Sequence, residues 1–357
     1  MEHKNDAAKM LDLMGRPAFC VTDNKIIRVN AGAAGLGFSA GDTLTDLVST
    51  GAEEYAAFTG GCLYLTLSVN GERLGASVTR MDEFDVFCLE ELADSRELQA
   101  MALAARELRE PLSSVMITAQ RLFPLSALAD DPATQEQVAR LNRGLYQMLR
   151  VVGNMSDAGH YAVSPARQET VNLSAELEDI FRKAAELVAH TQVELVYEGH
   201  PAPVYCLADL ESLERAALNM VSNAIKFTRP GGTIRASLTR RGNRMYLSVQ
   251  DNGSGIASGL EGDVFTRFQR QCCLEDGRFG IGLGLVLVRS AATAHGGAVL
   301  IDRPEDGGTR ITMTLAIRQS ESAVRSSMLR VDYTGERDHS LIELAEFLPD
   351  ALYENEI

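Results

Sequence analysis

Two heptad stripes, placed back to back, constrain this chain more than any other feature. Leu98, Met101, Ala105, Leu108, Leu112, Val115, Ala119 and Leu122 recur at spacings of three and four. That rhythm keeps apolar side chains on one seam of a helix packed in a coiled-coil-like bundle. Residues 124–132, with a proline at each end, break the stripe. A second follows at Val138, Leu141, Leu145, Met148, Val152 and Met155. Two such helices joined by a short loop make a helical hairpin. A lone hairpin buries little, so pairing of two copies into a dimeric four-helix bundle is the natural completion. The plainer alternative is that both are core helices of one domain.

The flanking segments are globular. Before the stripes, residues 19–22 and 25–30 read as two strands around an Asp23-Asn24 turn, and 62–69, 73–80 and 85–89 read as three more. After them, helical stretches near 173–190 and 209–228 alternate with strands near 193–198, 233–239, 244–250 and 309–317. This suits a mixed sheet with helices on one face. The tail is serine-bearing and then acidic. Leu341, Leu344 and Leu348 suit either a short amphipathic helix or a loosely ordered extension. The boundaries are therefore set at 1–92, 93–160, 161–318 and 319–357. A net charge of −15 argues against an electrostatic grip on nucleic acid. Six cysteines form no paired Cys-x-x-Cys pattern, which disfavours a zinc site. The polar start lacks a signal-peptide pattern, and no run of about 18 uncharged apolar residues marks a membrane span. A cytoplasmic protein is expected.

Three motifs stand in order within the third segment: Asn219-Met-Val-Ser-Asn223-Ala-Ile-Lys226-Phe, Asp251-Asn-Gly253-Ser-Gly255-Ile, and Gly280-Ile-Gly282-Leu-Gly284-Leu. Each alone is common: glycine runs serve packing, and Asp-x-Gly-x-Gly marks turns. Their order and spacing, with Gly307-Gly308-Thr309 after them, resemble the ATP-binding domain of sensor histidine kinases, the kinase branch of the GHKL ATPases. The resemblance implies an α+β multidomain chain ending in an α/β-sandwich, Bergerat-type ATP-binding domain. Upstream, Pro17-Ala-Phe-Cys-Val-Thr-Asp23 and Ile27-Arg-Val-Asn30 resemble a PAS sensor domain. A generic packing or dimerisation unit is the alternative there.

The residue types suit ATP and Mg²⁺. Asp251, an acceptor-only carboxylate, can take the adenine amino hydrogen and disfavour guanine, which presents a carbonyl there. Gly253 and Gly255 let backbone approach the base. Asn223 offers an oxygen for Mg²⁺, and Lys226, three residues on, a positive charge for the phosphates. Asn219 lies one turn earlier on the same helix face. By resemblance, Asn219 supports the metal or its water, Thr309 helps bind adenine, and Phe265 and Phe268 are lid aromatics. Gly280, Gly282 and Gly284 precede an apolar helix, Leu285–Ala294, and backbone amides at such a glycine-rich helix start are a ready phosphate cradle. Arg270 and Arg278 suit either phosphate contact or solvated surface. Related ATPases outside the kinase branch carry a water-activating glutamate at the position of Asn219. An amide is a poor general base, which argues against autonomous hydrolysis.

The family's acceptor box, His-Glu-Leu-Arg-x-Pro-Leu, is matched by Arg106-Glu107-Leu108-Arg109-Glu110-Pro111-Leu112. Arg106 stands where the phosphoaccepting histidine belongs, and arginine is no nucleophile. None of the six histidines falls on this helix. Ala105 and Leu108 are stripe positions, so Arg106 is expected to face outward. Glu110 replaces the usual Thr or Asn that orients water for dephosphorylating a partner. Glu107, the family's acid–base helper, is retained, free to pair with Arg106 or Arg109. The expected function is a histidine-kinase-like signalling protein that binds Mg-ATP, a pseudokinase or divergent kinase. The alternatives are an active kinase working in trans and an ATP-independent dimeric scaffold. Expected partners are a second copy and a response-regulator receiver domain or partner kinase.

Overall fold

The computed structural model describes residues 11, 14–91, 95–122, 132–160, 168–255, 283–318 and 338–353. The chain opens with β1 (Ala18–Thr22) and β2 (Lys25–Val29), an antiparallel hairpin with Thr22 opposite Lys25. Its two turn residues, Asp23 and Asn24, have φ of 50° and 63°. Positive φ at both central positions is what a tight hairpin turn demands, and Asp and Asn tolerate it. Short helices α1 (Ala31–Gly35), α2 (Leu44–Leu47) and α3 (Ala52–Ala56) follow, with β3 (Val48–Thr50) between the last two. Then come β4 (Cys62–Val69), β5 (Glu72–Arg80) and β6 (Asp85–Glu91). Phe19, Phe38 and Phe87 stack at the centre of this unit's core.

Helices α4 (Ser95–Leu122) and α5 (Pro132–His160) form the expected hairpin. Each stripe splits in two. Ala105, Leu112 and Ala119 are buried, as are Val138, Leu145 and Val152. Leu108, Val115, Leu122, Leu141 and Met148 are 40–68% exposed. One chain thus satisfies half of each seam and leaves an apolar row uncovered.

The next unit runs β7 (Glu169–Asn172), α6 (Leu173–Val188), β8 (Glu194–Glu198), β9 (Tyr205–Ala208), α7 (Leu210–Phe227), β10 (Thr233–Arg241) and β11 (Arg244–Asp251). It continues with α8 (Gly284–Ala294), β12 (Val299–Asp302) and β13 (Arg310–Ala316). β10 pairs parallel with β8 and antiparallel with β11, giving the mixed sheet expected. β3, β7, β9 and β12 were not expected. At three or four residues, they are too short to show a period of two.

A finding with no sequence precursor is that the two sheets are one. β4 pairs antiparallel with β12, Tyr64 opposite Val299 and Cys62 opposite Ile301. This completes an eleven-stranded sheet in the order β2-β1-β6-β5-β4-β12-β13-β11-β10-β8, with β3 on β4. β4 is accordingly buried at nearly every position, as an interior strand covered on both faces must be. Charges bolt the seam. Arg289 pairs with Glu90 at 2.6 Å and lies over the Tyr64 ring. Arg244 pairs with Glu54, which also accepts from Thr314 Oγ1 at 2.6 Å.

Residues 338–353 of the tail are folded. Helix α9 (His339–Glu343) is followed by a 3-10 turn, Asp350–Tyr353. Leu341, Leu344, Leu348 and Tyr353 join the main core against α5, α6 and α7. The three leucines are therefore buried as an amphipathic pattern requires, although the regular helix reaches only the first of them. Among the described residues, no helix is long and apolar enough to cross a membrane.

Candidate nucleotide site

Helix α7 supplies one wall. The Asp209 side chain caps it by accepting from Ser212 N at 3.3 Å. Its third to fifth turns carry Asn219, Asn223 and Lys226 at spacings of four and three, which puts them on one face. Asn219 is buried; Asn223 and Lys226 are half-buried. Asn219 Nδ2 donates to Arg215 O at 2.9 Å and to Glu343 Oε2 at 3.4 Å. Gly284 opens helix α8 directly opposite. A Cβ there would sit 2.9 Å from Asn219 Oδ1, so glycine lets the two helices close.

The second wall is the end of β11 and the turn before β13. Asp251 is buried, and its Oδ1 accepts from Gly253 N at 2.8 Å and Thr309 N at 3.2 Å. Asp251 N in turn donates to Thr309 O at 2.9 Å, so the two residues clasp each other. Burial pushes the Asp251 carboxyl above the usual carboxylate value, while the two backbone N–H donors pull it back. The glycines are steric necessities. A Cβ on Gly253 would run into Phe227 O, and one on Gly308, whose φ is 78°, into Asp251 O. Gly255 has φ of 71° and lies against Gly308 O. Thr309 also borders a cavity of about 300 Å³ shared with Gly60, Gly61 and Arg80 of the N-terminal unit and Arg303.

The structure therefore brings together Asn219, Asn223, Lys226 and Gly284 on two facing helices, and Asp251, Gly253, Gly255 and Thr309 on the adjoining strand ends. Gly280, Gly282, Phe265, Phe268, Arg270 and Arg278 lie outside the described residues. Arg106 is exposed on α4, as its offset from the stripe predicts, and Glu107 and Glu110 are exposed beside it. Among the described residues, no side-chain hydrogen bond or ion pair joins Arg106 or Glu107 to another. Arg109 Nη2 donates to Ser156 Oγ on α5 at 3.2 Å.

Sequence reasoning missed the residues behind Asn219. Arg215, 3% exposed, bonds Asp157 at 2.7 Å, Asn154 at 2.9 Å and Glu343 at 3.2 Å. Arg150 of α5 reaches Ser222 Oγ at 2.7 Å, Glu346 at 2.8 Å and Glu343 at 3.4 Å. Glu343 itself is 2% exposed. The one signal available was three leucines in an acidic tail, which suited a short amphipathic helix and a loose extension equally and gave no place for either.

Comparison with known proteins agrees with this geometry. Residues 208–319 match the family model of the histidine kinase-, DNA gyrase B-, and HSP90-like ATPases. The chain is 30% identical over 239 residues to the signal transduction histidine-protein kinase/phosphatase MprB of Mycolicibacterium vanbaalenii, covering 65% of this chain and 48% of that one. It is 29% identical over 213 residues to the sensor protein kinase PmrB of Pseudomonas aeruginosa, covering 57% and 42%. The chain thus spans about half the length of the curated relatives it matches. Among solved structures, full-length ShkA in complex with AMPPNP superposes with a TM-score of 0.50 at 22% identity, over 63% of this chain and 47% of that one. That likeness shows a shared fold.

Proposed function

We propose that this chain, a homologue of the sensor histidine kinases with their type of ATPase domain, binds Mg-ATP between α7, α8 and the Asp251–Thr309 clasp. The observation that carries this reading is Asp251: a buried carboxylate whose Oδ1 is held by two backbone N–H groups. Held so, its other oxygen is oriented to accept from an adenine amino group. Gly253 and Gly308 keep side chains out of the space beside it. Asn223, half-buried and one turn beyond Asn219, offers an oxygen to Mg²⁺. Lys226 places its ammonium toward the phosphates and Thr309 completes the adenine side. When bound, Mg-ATP would supply a transferable phosphoryl group. The residues named here bind and orient it.

Nucleotide binding and phosphoryl acceptance separate in this chain. Arg106 occupies the exposed α4 position where the family's box carries its histidine, and it cannot accept a phosphoryl group. The protein therefore acts as an ATP-binding, histidine-kinase-like signalling protein that does not phosphorylate its own α4. The uncovered row of Leu108, Val115, Leu122, Leu141 and Met148 supports a homodimer built on this hairpin. The N-terminal unit, PAS-like in its strand and helix order, serves as the sensor. A second reading, transfer in trans to a receiver domain or partner kinase, draws on the retained Glu107.

Labelling with [γ-³²P]ATP tests these readings on the full chain and on Arg106→His. The wild-type chain is expected to gain Tm with Mg-ATP and to take up no acid-labile label. Arg106→His is expected to label itself if the remaining machinery is competent. Acid-labile label on the wild type refutes the pseudokinase reading. Label passing from ATP to an added receiver domain establishes transfer in trans. No Mg-ATP-dependent change in Tm refutes nucleotide binding and leaves the dimeric scaffold.

A further inference from the structure

We infer that Glu343, from the C-terminal segment, is a positioning residue of the nucleotide site, and that residues 338–353 are coupled through it to the bound nucleotide. The inference rests on the nucleotide reading above. It goes beyond it by bringing in a segment outside the ATPase family match at 208–319.

The argument starts from the Asn219 amide. The two polar atoms beside its nitrogen, Arg215 O at 2.9 Å and Glu343 Oε2 at 3.4 Å, can only accept. An amide has one donating and one accepting end, and two acceptors on one side leave a single allowed orientation. Nδ2 faces the tail, so Oδ1 faces the opening of α8 at Gly284. That is the direction in which an oxygen serves a metal or its water beside the phosphates. Rotating the amide would set Oδ1 against the Glu343 carboxylate, so Glu343 defends the orientation.

Glu343 is itself held from both flanks. Its Oε1 pairs with Arg215 of α7 and its Oε2 with Arg150 of α5. Arg150 also donates to Ser222 of α7, three residues past Asn219. The tail is anchored independently about two turns earlier on α5. Arg143 donates to Ala345 O at 3.0 Å and pairs with Asp350 at 2.9 Å. Asn142 Nδ2 donates to Tyr353 O at 2.8 Å, and the Tyr146 and Tyr353 rings meet edge-on. The segment is a wedge with one end on the hairpin and its buried carboxylate on the nucleotide helix. Whatever tightens Asn219 tightens the wedge, and by linkage the reverse holds.

Two measurements on the full chain test this. In the first, fluorescent ATP-analogue affinity is measured with Mg²⁺ and with EDTA. Glu343→Ala is expected to shrink the Mg²⁺-dependent gain in affinity roughly three- to tenfold, the scale of one lost hydrogen bond. Glu343→Gln, which keeps an oxygen acceptor, is expected to retain most of it. Glu346→Ala, which removes a partner of Arg150 and none of Asn219, is the control. The inference is overturned if Glu343→Ala keeps the full gain, or if Glu346→Ala loses as much. The second measurement needs no variant. Saturating Mg-ATP is expected to slow amide hydrogen exchange in residues 339–346 as well as around 219–223. Slowing at 219–223 with no change at 339–346 overturns the coupling. If neither segment responds, the nucleotide reading has failed and the coupling with it.

Discussion

Replacing Asp251 by Asn tests whether this carboxylate exists for a ligand or for the fold, because the two roles predict opposite signs. Asn keeps an Oδ1 for Gly253 N and Thr309 N, which now bond Asp251 at 2.8 and 3.2 Å. Its Nδ2 then takes the place of the free carboxylate oxygen, so a donor confronts the adenine amino group. A hydrogen bond to a charged group is worth about 1.5–3 kcal/mol. Its loss should weaken Mg-ATP binding by roughly 10- to 150-fold. Guanine presents an acceptor at that position, so Mg-GTP should lose less and the ATP-over-GTP preference should narrow. Stability moves the other way. Burial raises the Asp251 pKa above 3.8 in the folded chain. A carboxyl raised on folding contributes stability below the unfolded value, and that contribution is lost as pH rises through the folded value. At pH 7 the ionised group opposes folding, and the amide does not. The ligand-free Tm of Asp251→Asn should therefore match or exceed wild type at pH 7, and the advantage should vanish toward pH 4. Isothermal titration with both nucleotides and a pH series of thermal melts give these quantities. Binding of Mg-ATP within about threefold of wild type would refute the adenine assignment. A lower ligand-free Tm with equal loss of both nucleotides would make Asp251 a scaffold residue.

Three further outcomes are expected. Val115→Glu with Met148→Glu, two side chains near half-exposed in one chain, should shift the protein from dimer to monomer in light scattering, since each buried apolar side chain of that size is worth about 1.5–3 kcal/mol. His295, buried, has its pKa lowered from 6.5 by desolvation; its Nε2 accepts from Asp209 N at 2.9 Å and its Nδ1 faces Ala291 O, an arrangement open only to the neutral ring. Its stability contribution is present above pH 6.5 and is lost as pH falls through the folded value, so Tm should drop on acidification, and more steeply than in His295→Gln. Gly61→Ala places a Cβ against Ile301 O at φ 88°; it should open the β4–β12 seam, seen as faster amide exchange in residues 299–302, and unchanged exchange there would refute the seam's dependence on that glycine.

Features governed by neighbours in sequence were legible. The turn at Asp23 and Asn24, the strand bounds at 62–69 and the start of α8 at Gly284 follow from residues within a few positions. So does the grouping of Asn219, Asn223 and Lys226, which only the helical repeat is needed to align. The clasp between Asp251 and Thr309 joins residues 58 positions apart, and it appeared only in the structure. The exposure of Arg106 follows from its offset from the stripe.

The joined sheet and the tail were not legible, for one reason. Cys62–Val69 looks equally apolar whether its second edge meets solvent, a copy or another strand, and only assembly shows that the edge takes β12. Glu343 lies 124 residues from Asn219. An acidic residue in an acidic tail carries no mark of burial until two arginines from different helices converge on it. The sequence by itself determined the local elements and the faces on which the motif residues lie, because these depend on short-range periodicity and residue chemistry. Tertiary structure decided that the N-terminal and nucleotide sheets are continuous and that the tail closes behind Asn219, because strand-edge pairing and burial of charge depend on which distant partner arrives.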